Sequence, residues 1–110
     1  MSISKRYIKT RDVFRVNFTL PDYAKDHAKK AAIVGDFNAW HPDKDLMKKD
    51  KTGNFTGSVD LPAGHDYQFR YLVDKYNWET DWETDGLAET PYDETYNSVI
   101  QCTERPRHPE

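Results

Sequence analysis

The stretch FTGSVDLPAGHDYQFRYLV, residues 55–73, decides the fold class. Phe55, Gly57, Val59 and Leu61 alternate with Thr56, Ser58 and Asp60; beyond Pro62-Ala63-Gly64, the residues Tyr67, Phe69, Tyr71 and Val73 alternate with Gln68, Arg70 and Leu72. A period of two is the mark of half-buried β-strands, because successive side chains leave a strand on opposite faces. Between the two runs, Pro62 presets φ and Gly64 accepts the left-handed conformation. That predicts a tight turn and a hairpin made of the two strands.

The same period extends toward the N-terminus. Phe14, Val16, Phe18 and Leu20 oppose Arg15, Asn17 and Thr19, and the run stops at Pro21-Asp22. Residues 23–30 are too short and polar for a stable helix and read as a single helical turn or a loop. Ala31-Ala32-Ile33-Val34 reads as a short buried strand ended by Gly35, residues 38–50 as a surface connection, and Thr52-Gly53-Asn54 as a hairpin turn. Toward the C-terminus, residues 74–77 read as a turn, 79–94 as a mostly irregular acidic loop and 97–103 as the last strand. Many short strands with turn residues between them, and no sustained 3.6-residue period, predict an all-β sandwich with Greek-key or immunoglobulin-like connections. The expected layout is an N-terminal segment at 1–11, one domain at 12–103 and a flexible tail at 104–110.

The chain has 110 residues, with 16 Lys plus Arg against 19 Asp plus Glu, a net charge of −3 and one Cys. That length suits one domain without a deep interdomain cleft, which favours a binding or regulatory module over an enzyme. Hydrophobic residues are only 36%, but aromatics reach 14%, too many for a disordered chain. From Tyr76 to Glu104 there is no Lys or Arg, so no electrostatic footprint for nucleic acid is present on that stretch. The longest apolar run, Ala31 to Gly35, is far short of the roughly 20 residues that span a bilayer, and no membrane partner is expected. Residues 1–6 lack the apolar core of a secretion signal and Cys102 has no partner for an internal disulfide, so a cytoplasmic location is expected.

Five pieces of sequence, in order and spacing, carry a resemblance. They are Gly35-Asp36-Phe37-Asn38-Ala39-Trp40, Leu61-Pro62-Ala63-Gly64, the run from Tyr67 to Asp74, Trp78, and Asn97-Ser98-Val99-Ile100. Together they resemble the family 48 carbohydrate-binding modules: the isoamylase N-terminal, or early set, domains of starch and glycogen enzymes, and the glycogen-binding domain in the β-subunit of AMP-activated protein kinase. The likeness runs from about Val13 to Cys102. It implies an immunoglobulin-like, early set β-sandwich that binds α-1,4-linked glucan, as glycogen, starch or maltooligosaccharide, with no catalysis and no cofactor. Carried onto this chain, it implies that Trp40 and Trp78 form a sugar-stacking platform, that Arg70 fills the basic position, that Asn97 is the hydrogen-bonding Asn and that Thr95 lines the site. Two positions depart from the pattern. Asp93 stands where kinase-type binders hold an apolar residue, and Lys75 stands where Gly is usual.

The chemistry agrees with such a site. A glucose ring has an apolar face of C–H groups and a rim of hydroxyls, so it is recognised by flat exposed aromatics and a few polar side chains rather than by net charge. Covering about 100 Å² of apolar surface per ring contributes on the order of 2.5 kcal/mol. Two such contacts and hydrogen bonds of about 1 kcal/mol each, set against ordering costs, give a binder in the micromolar to millimolar range. Alternation independently places Arg70 opposite the core stripe of its strand. Each residue also has an ordinary reading: Arg70 as a solvated surface charge, Trp40 and Trp78 as core plugs, and Asn97 as a turn cap at the start of a strand.

Other constellations are weaker. Asp81, Glu83 and Asp85 followed by Gly86 resemble the opening of a calcium loop, but Tyr92 holds the twelfth position where a bidentate Glu is required. A solvated acidic loop is the better description, and Trp82 within it reads as a packing residue. The same acids lack the framing that glycoside hydrolysis demands of a carboxylate pair. The histidines at 27, 41, 65 and 108 show no metal-binding spacing and no pairing with Cys102, which reads as a small buried side chain. No catalytic residue and no metal ligand is expected. A second reading keeps the sandwich but replaces the sugar site with docking onto a glucan-metabolising enzyme in trans, and Asp93 favours it.

Overall fold

The computed structural model describes residues 2–26, 28–92 and 95–106. Among the described residues nine strands run in the order β1 (Ile3–Ile8), β2 (Val13–Thr19), β3 (Ala31–Gly35), β4 (Lys48–Lys49), β5 (Phe55–Pro62), β6 (Asp66–Val73), β7 (Asn77–Glu79), β8 (Gly86–Glu89) and β9 (Tyr96–Gln101). A one-turn helix, α1 (Asp22–Lys25), follows β2. All strand pairs are antiparallel. One sheet has the order β1-β2-β5-β4; the other has the order β3-β6-β9-β8, with β7 added beside β6. The alternating stripes meet between the sheets: Phe14, Val16, Phe18 and Leu20 from the first, and Phe69, Tyr71 and Val73 from the second, are all buried. Phe18 crosses Phe69 with ring centroids 5.2 Å apart at 76°, and Phe69 crosses Tyr71 at 5.3 Å and 82°. These are the edge-to-face contacts that aromatic quadrupoles favour. The molecule is an immunoglobulin-like β-sandwich.

Three expectations are corrected. The runs around Pro62-Ala63-Gly64 do not pair as a hairpin. β5 pairs with β2 from Val13↔Pro62 to Thr19↔Thr56, while β6 pairs with β3 in the opposite sheet. The turn is therefore a crossover, and its amides are held by other elements: Ala63 N–H donates to Asp12 O at 3.0 Å and Gly64 N–H, with φ +103°, donates to Cys102 O at 2.8 Å. Alternation reveals which face of a strand is buried, not which strand lies beside it. Second, the segment at 1–11 carries β1, an edge strand paired with β2 from Ile3↔Phe18 to Ile8↔Val13. Its exposed run Ser4-Lys5-Arg6 has no period to read. Third, the acidic stretch 79–94 contains the end of β7 and all of β8, and its Asp81 is 1% exposed. Within the surface connection 38–50, Asn38 and Met47 are buried, and Leu46 bridges to Ala32.

β6 is the strand that positions the site. β3 occupies one edge, from Gly35↔Phe69 to Ala31↔Val73. The other edge is divided: β9 pairs with Asp66 through Phe69, and β7 pairs with Tyr71 through Val73. Arg70 stands at the change of partner, where β7 and β9 separate and the sheet forks.

Candidate functional site

The fork opens on the outer face of the second sheet. Because Phe69 and Tyr71 point into the core, Gln68, Arg70 and Leu72 point outward. An open concavity of about 330 Å³ lies here, lined by Trp40, Arg70, Trp78, Thr90, Pro91, Tyr92 and Asn97. Four of the five residues expected from the sequence, Trp40, Trp78, Arg70 and Asn97, are thus brought to one surface.

Trp40 ends a tightly bonded loop. A 3₁₀ turn at Asp36–Asn38 follows β3, and Ala39 and Trp40 then both take the left-handed conformation, with φ of 56° and 58°. Such backbone is unfavourable for residues with a Cβ and persists only where surroundings fix it. Here the Trp40 amide donates to Gly35 O at 2.9 Å and its indole Nε1–H donates to Asp36 Oδ1 at 2.9 Å. Asp36 Oδ2 accepts from the Gln68 amide at 2.8 Å, which ties the loop to β6. The buried Asn38 accepts from the Gly35 amide through Oδ1 and donates to Ile33 O and Asp45 Oδ2. The Trp40 ring packs on Ala32, Val34 and Leu72, an apolar patch on the outer face of β3 and β6.

Trp78, on β7 opposite Leu72, is 44% exposed. The two indoles lie 6.5 Å apart at 55°, so they sit side by side on one face and neither enters the core. Arg70 spans the fork with its guanidinium 5.8 Å from the Trp78 ring, a cation–π distance. Burial lowers the Arg70 pKa and the nearby Glu79 carboxylate opposes that shift; the group remains a cation at neutral pH. Among the described residues its Nε is buried without a hydrogen-bond partner.

Asn97 Nδ2 donates to Gln68 Oε1 at 3.1 Å, which leaves its carbonyl oxygen for other partners. Thr95 lies behind the lining. Its hydroxyl donates to Tyr92 O at 2.8 Å and meets the Thr90 hydroxyl, so it holds the turn that presents Thr90, Pro91 and Tyr92. Asp93 lies outside the described residues. Lys75 adopts φ 70° after Asp74 at φ 52°, in a turn where Gly is usual. The turn is anchored because Asp74 Oδ1 accepts from the Lys29 and Lys30 amides at 2.8 and 2.9 Å.

Sequence reading did not identify Asp36, Gln68, Thr90, Pro91 or Tyr92 at the site. Tyr92, 76% exposed, is the largest of these; it was hidden in a stretch read as acidic loop, although Pro91-Tyr92 is an aromatic in a turn context. The concavity offers two indoles and a phenol as apolar surface, with one guanidinium, one amide and one hydroxyl as polar partners. The described lining residues include no carboxylate. Flat aromatic faces with a few hydrogen-bonding groups complement a polyhydroxylated ring, and a guanidinium without a carboxylate does not suit a metal cation.

The carboxylate of Asp81, expected in solvent, turns inward instead. It accepts from Ser2 Oγ at 2.6 Å, Tyr71 Oη at 2.9 Å and the Glu83 amide at 3.0 Å. Asp85 pairs with Lys5 at 2.6 Å. Cys102 is buried, which pushes its thiol up to about 11 and keeps it protonated at neutral pH.

The model of a family described as the glycogen recognition site of AMP-activated protein kinase matches residues 10–105. The match takes in β2 through β9 and every residue lining the concavity.

Proposed function

With 10–105 matched, the chain belongs to the family of glycogen recognition sites of AMP-activated protein kinase, and from that premise we propose that it is a non-catalytic module that captures α-1,4-linked glucan on the Trp40–Trp78 face. The single observation that carries the reading is the side-by-side placement of the two indoles, 6.5 Å apart at a fork that also presents Arg70 and Asn97. Each indole takes the C–H face of one pyranose ring. The Arg70 guanidinium donates to ring hydroxyls and the Asn97 carbonyl accepts from them, while Thr95 acts through the turn that it holds.

The magnitude is modest. A tryptophan carries about 250 Å² of surface, and 44% exposure of Trp78 leaves about 110 Å² to cover. At about 25 cal/mol/Å² that is at most ~2.7 kcal/mol. Two indoles and a few hydrogen bonds, less the cost of ordering a flexible saccharide, support micromolar to millimolar affinity for a short oligosaccharide. Tight retention then comes from many modules or many chain ends on one polymer.

Migration in native gels containing glycogen, amylopectin or no polymer tests the reading, with Trp40→Ala and Trp78→Ala beside the parent. The parent is retarded in both polymers and each variant is retarded much less. Equal mobility of all three proteins in every gel overturns the proposal and favours a module of the same fold that docks onto a glucan-metabolising enzyme.

A further inference from the structure

A second group of rings lies at the end of the sandwich where α1 carries the chain from the first sheet to the second. Trp82 is 54% exposed and Tyr23, on α1, is 55% exposed. Neither lines the concavity at the fork. Tyr96 meets Trp82 edge to face, 6.0 Å between centroids at 65°, a geometry in which Tyr96 covers at most one face of the indole. Tyr23 is held in place, because its hydroxyl donates to Thr80 O at 2.6 Å and so links α1 to the segment leaving β7. Beside the rings is a small open concavity of about 170 Å³, lined by Ser2, Thr19, Leu20, Pro21, Asp22 and Glu83. Asp22 precedes Tyr23 and Glu83 follows Trp82, so each ring has a carboxylate as its chain neighbour.

The chemistry of this rim selects its ligand. There is no Lys or Arg between Tyr76 and Glu104, and Lys25 of α1 is paired with Asp22 at 3.1 Å, which leaves the rim without positive excess and disfavours anions. An apolar side chain from a protein partner needs an apolar pocket, whereas this one is edged by carboxylates and hydroxyls. A neutral pyranose needs what is present: a flat ring for its C–H face, and carboxylate oxygens that accept hydrogen bonds from vicinal hydroxyls.

We propose that this rim is a second α-glucan contact, in which Trp82 and Tyr23 carry sugar rings and Asp22 and Glu83 accept hydroxyl hydrogen bonds. The inference rests on the glucan reading of the fork and extends it: one module holds two stretches of polymer at once. Linked contacts of this kind raise polymer retention without raising affinity for a short chain.

The chain has three tryptophans, whose indole N–H signals report on the two places separately when maltoheptaose is titrated into the ¹⁵N-labelled full chain. Trp40 and Trp78 shift together along one isotherm. Trp82 shifts along a second, weaker isotherm that persists in the Trp40→Ala/Trp78→Ala double variant. Trp82→Ala leaves maltoheptaose affinity at the fork within about twofold and weakens retention in glycogen gels about tenfold. Shifts at Trp40 and Trp78 with Trp82 unmoved at saturation overturn the second contact and leave the fork reading intact. Three unmoved signals overturn both. A Trp82 shift that follows protein concentration rather than sugar marks contact between copies of the chain and also overturns the proposal.

Discussion

Replacing Asp81 by Ala removes the acceptor for three donors, at Ser2, Tyr71 and Glu83. Tyr71 has no exposed surface, and burial together with the adjacent carboxylate raises its pKa, so its phenol remains a protonated donor. Stranding that hydroxyl costs about 1–3 kcal/mol, and each hydrogen bond to the charged group is worth about 1.5–3 kcal/mol. Relief of carboxylate desolvation offsets part of this loss. The net expected destabilisation is about 3 kcal/mol, which lowers Tm by about 15 °C in a domain of this size. Tyr71→Phe alone removes one donor and leaves Asp81 two others, for a loss of about 1 kcal/mol. The double variant falls short of additivity by about 1 kcal/mol, because Tyr71→Phe spares the stranded hydroxyl. Urea unfolding followed by tryptophan fluorescence measures all four proteins. Glycogen retardation measured on the folded Asp81→Ala protein also weakens, since Asp81 anchors the chain between Trp78 and Trp82. A loss under 1 kcal/mol together with additive single variants would refute the account of a buried, partnered carboxylate.

Two further outcomes follow from the packing. A Cβ at residue 35 would lie 2.5 Å from Gln68 O and 2.7 Å from Phe69 Cβ, so Gly35→Ala forces β3 off β6; it lowers stability by about 3 kcal/mol or more and abolishes glycogen retardation, as read by urea unfolding and native gels. Asp60 is held down to about 2 by Arg15 first and Arg11 second, and Asp12 to about 2 by Arg105 first and then the Tyr7 hydroxyl. A depressed carboxylate contributes stability above its unfolded value of about 3.9, and that contribution is lost as pH falls through about 2. Tm therefore declines from pH 4 to pH 2, with a shallower slope in Asp60→Asn; parallel profiles for the two proteins would contradict this.

The strands with one buried face were legible because burial imposes the period of two: β2, β5 and β6 stand where Phe14 to Leu20, Phe55 to Leu61 and Tyr67 to Val73 alternate. β1 was not, because an edge strand with solvent beside Ser4-Lys5-Arg6 carries no such constraint. The partner of β5 was misread for a different reason. Pro62-Ala63-Gly64 has the composition of a tight turn in either a hairpin or a crossover, and the choice depends on Asp12 and Cys102, distant residues whose carbonyls take its amides. At the fork, the residues with unusual chemistry for their context, Trp40, Trp78 and Arg70, were visible as single letters. Asp36 and Gln68 were not. They matter through hydrogen bonds that exist only once β3 and β6 lie side by side. Asp81 shows the opposite error: an acid among acids reads as solvated until Ser2, Tyr71 and Ser98 close over it.

The handover at Arg70, from β9 to β7 along one edge of β6, gives this surface a wedge. Residues 80–85 join β7 to β8, the strand beside β9, and so link the two sides of the wedge. β6 carries both sides, β9 through Asp66 to Phe69 and β7 through Tyr71 to Val73, and its Tyr71 is bonded to Asp81 of the connector. Because Asp81 of that connector is bonded to Ser2, Tyr71 and Ser98 in the interior, gain or loss of a residue there changes the wedge and the packing beneath it together, so selectivity and folding are tied to one short piece of chain.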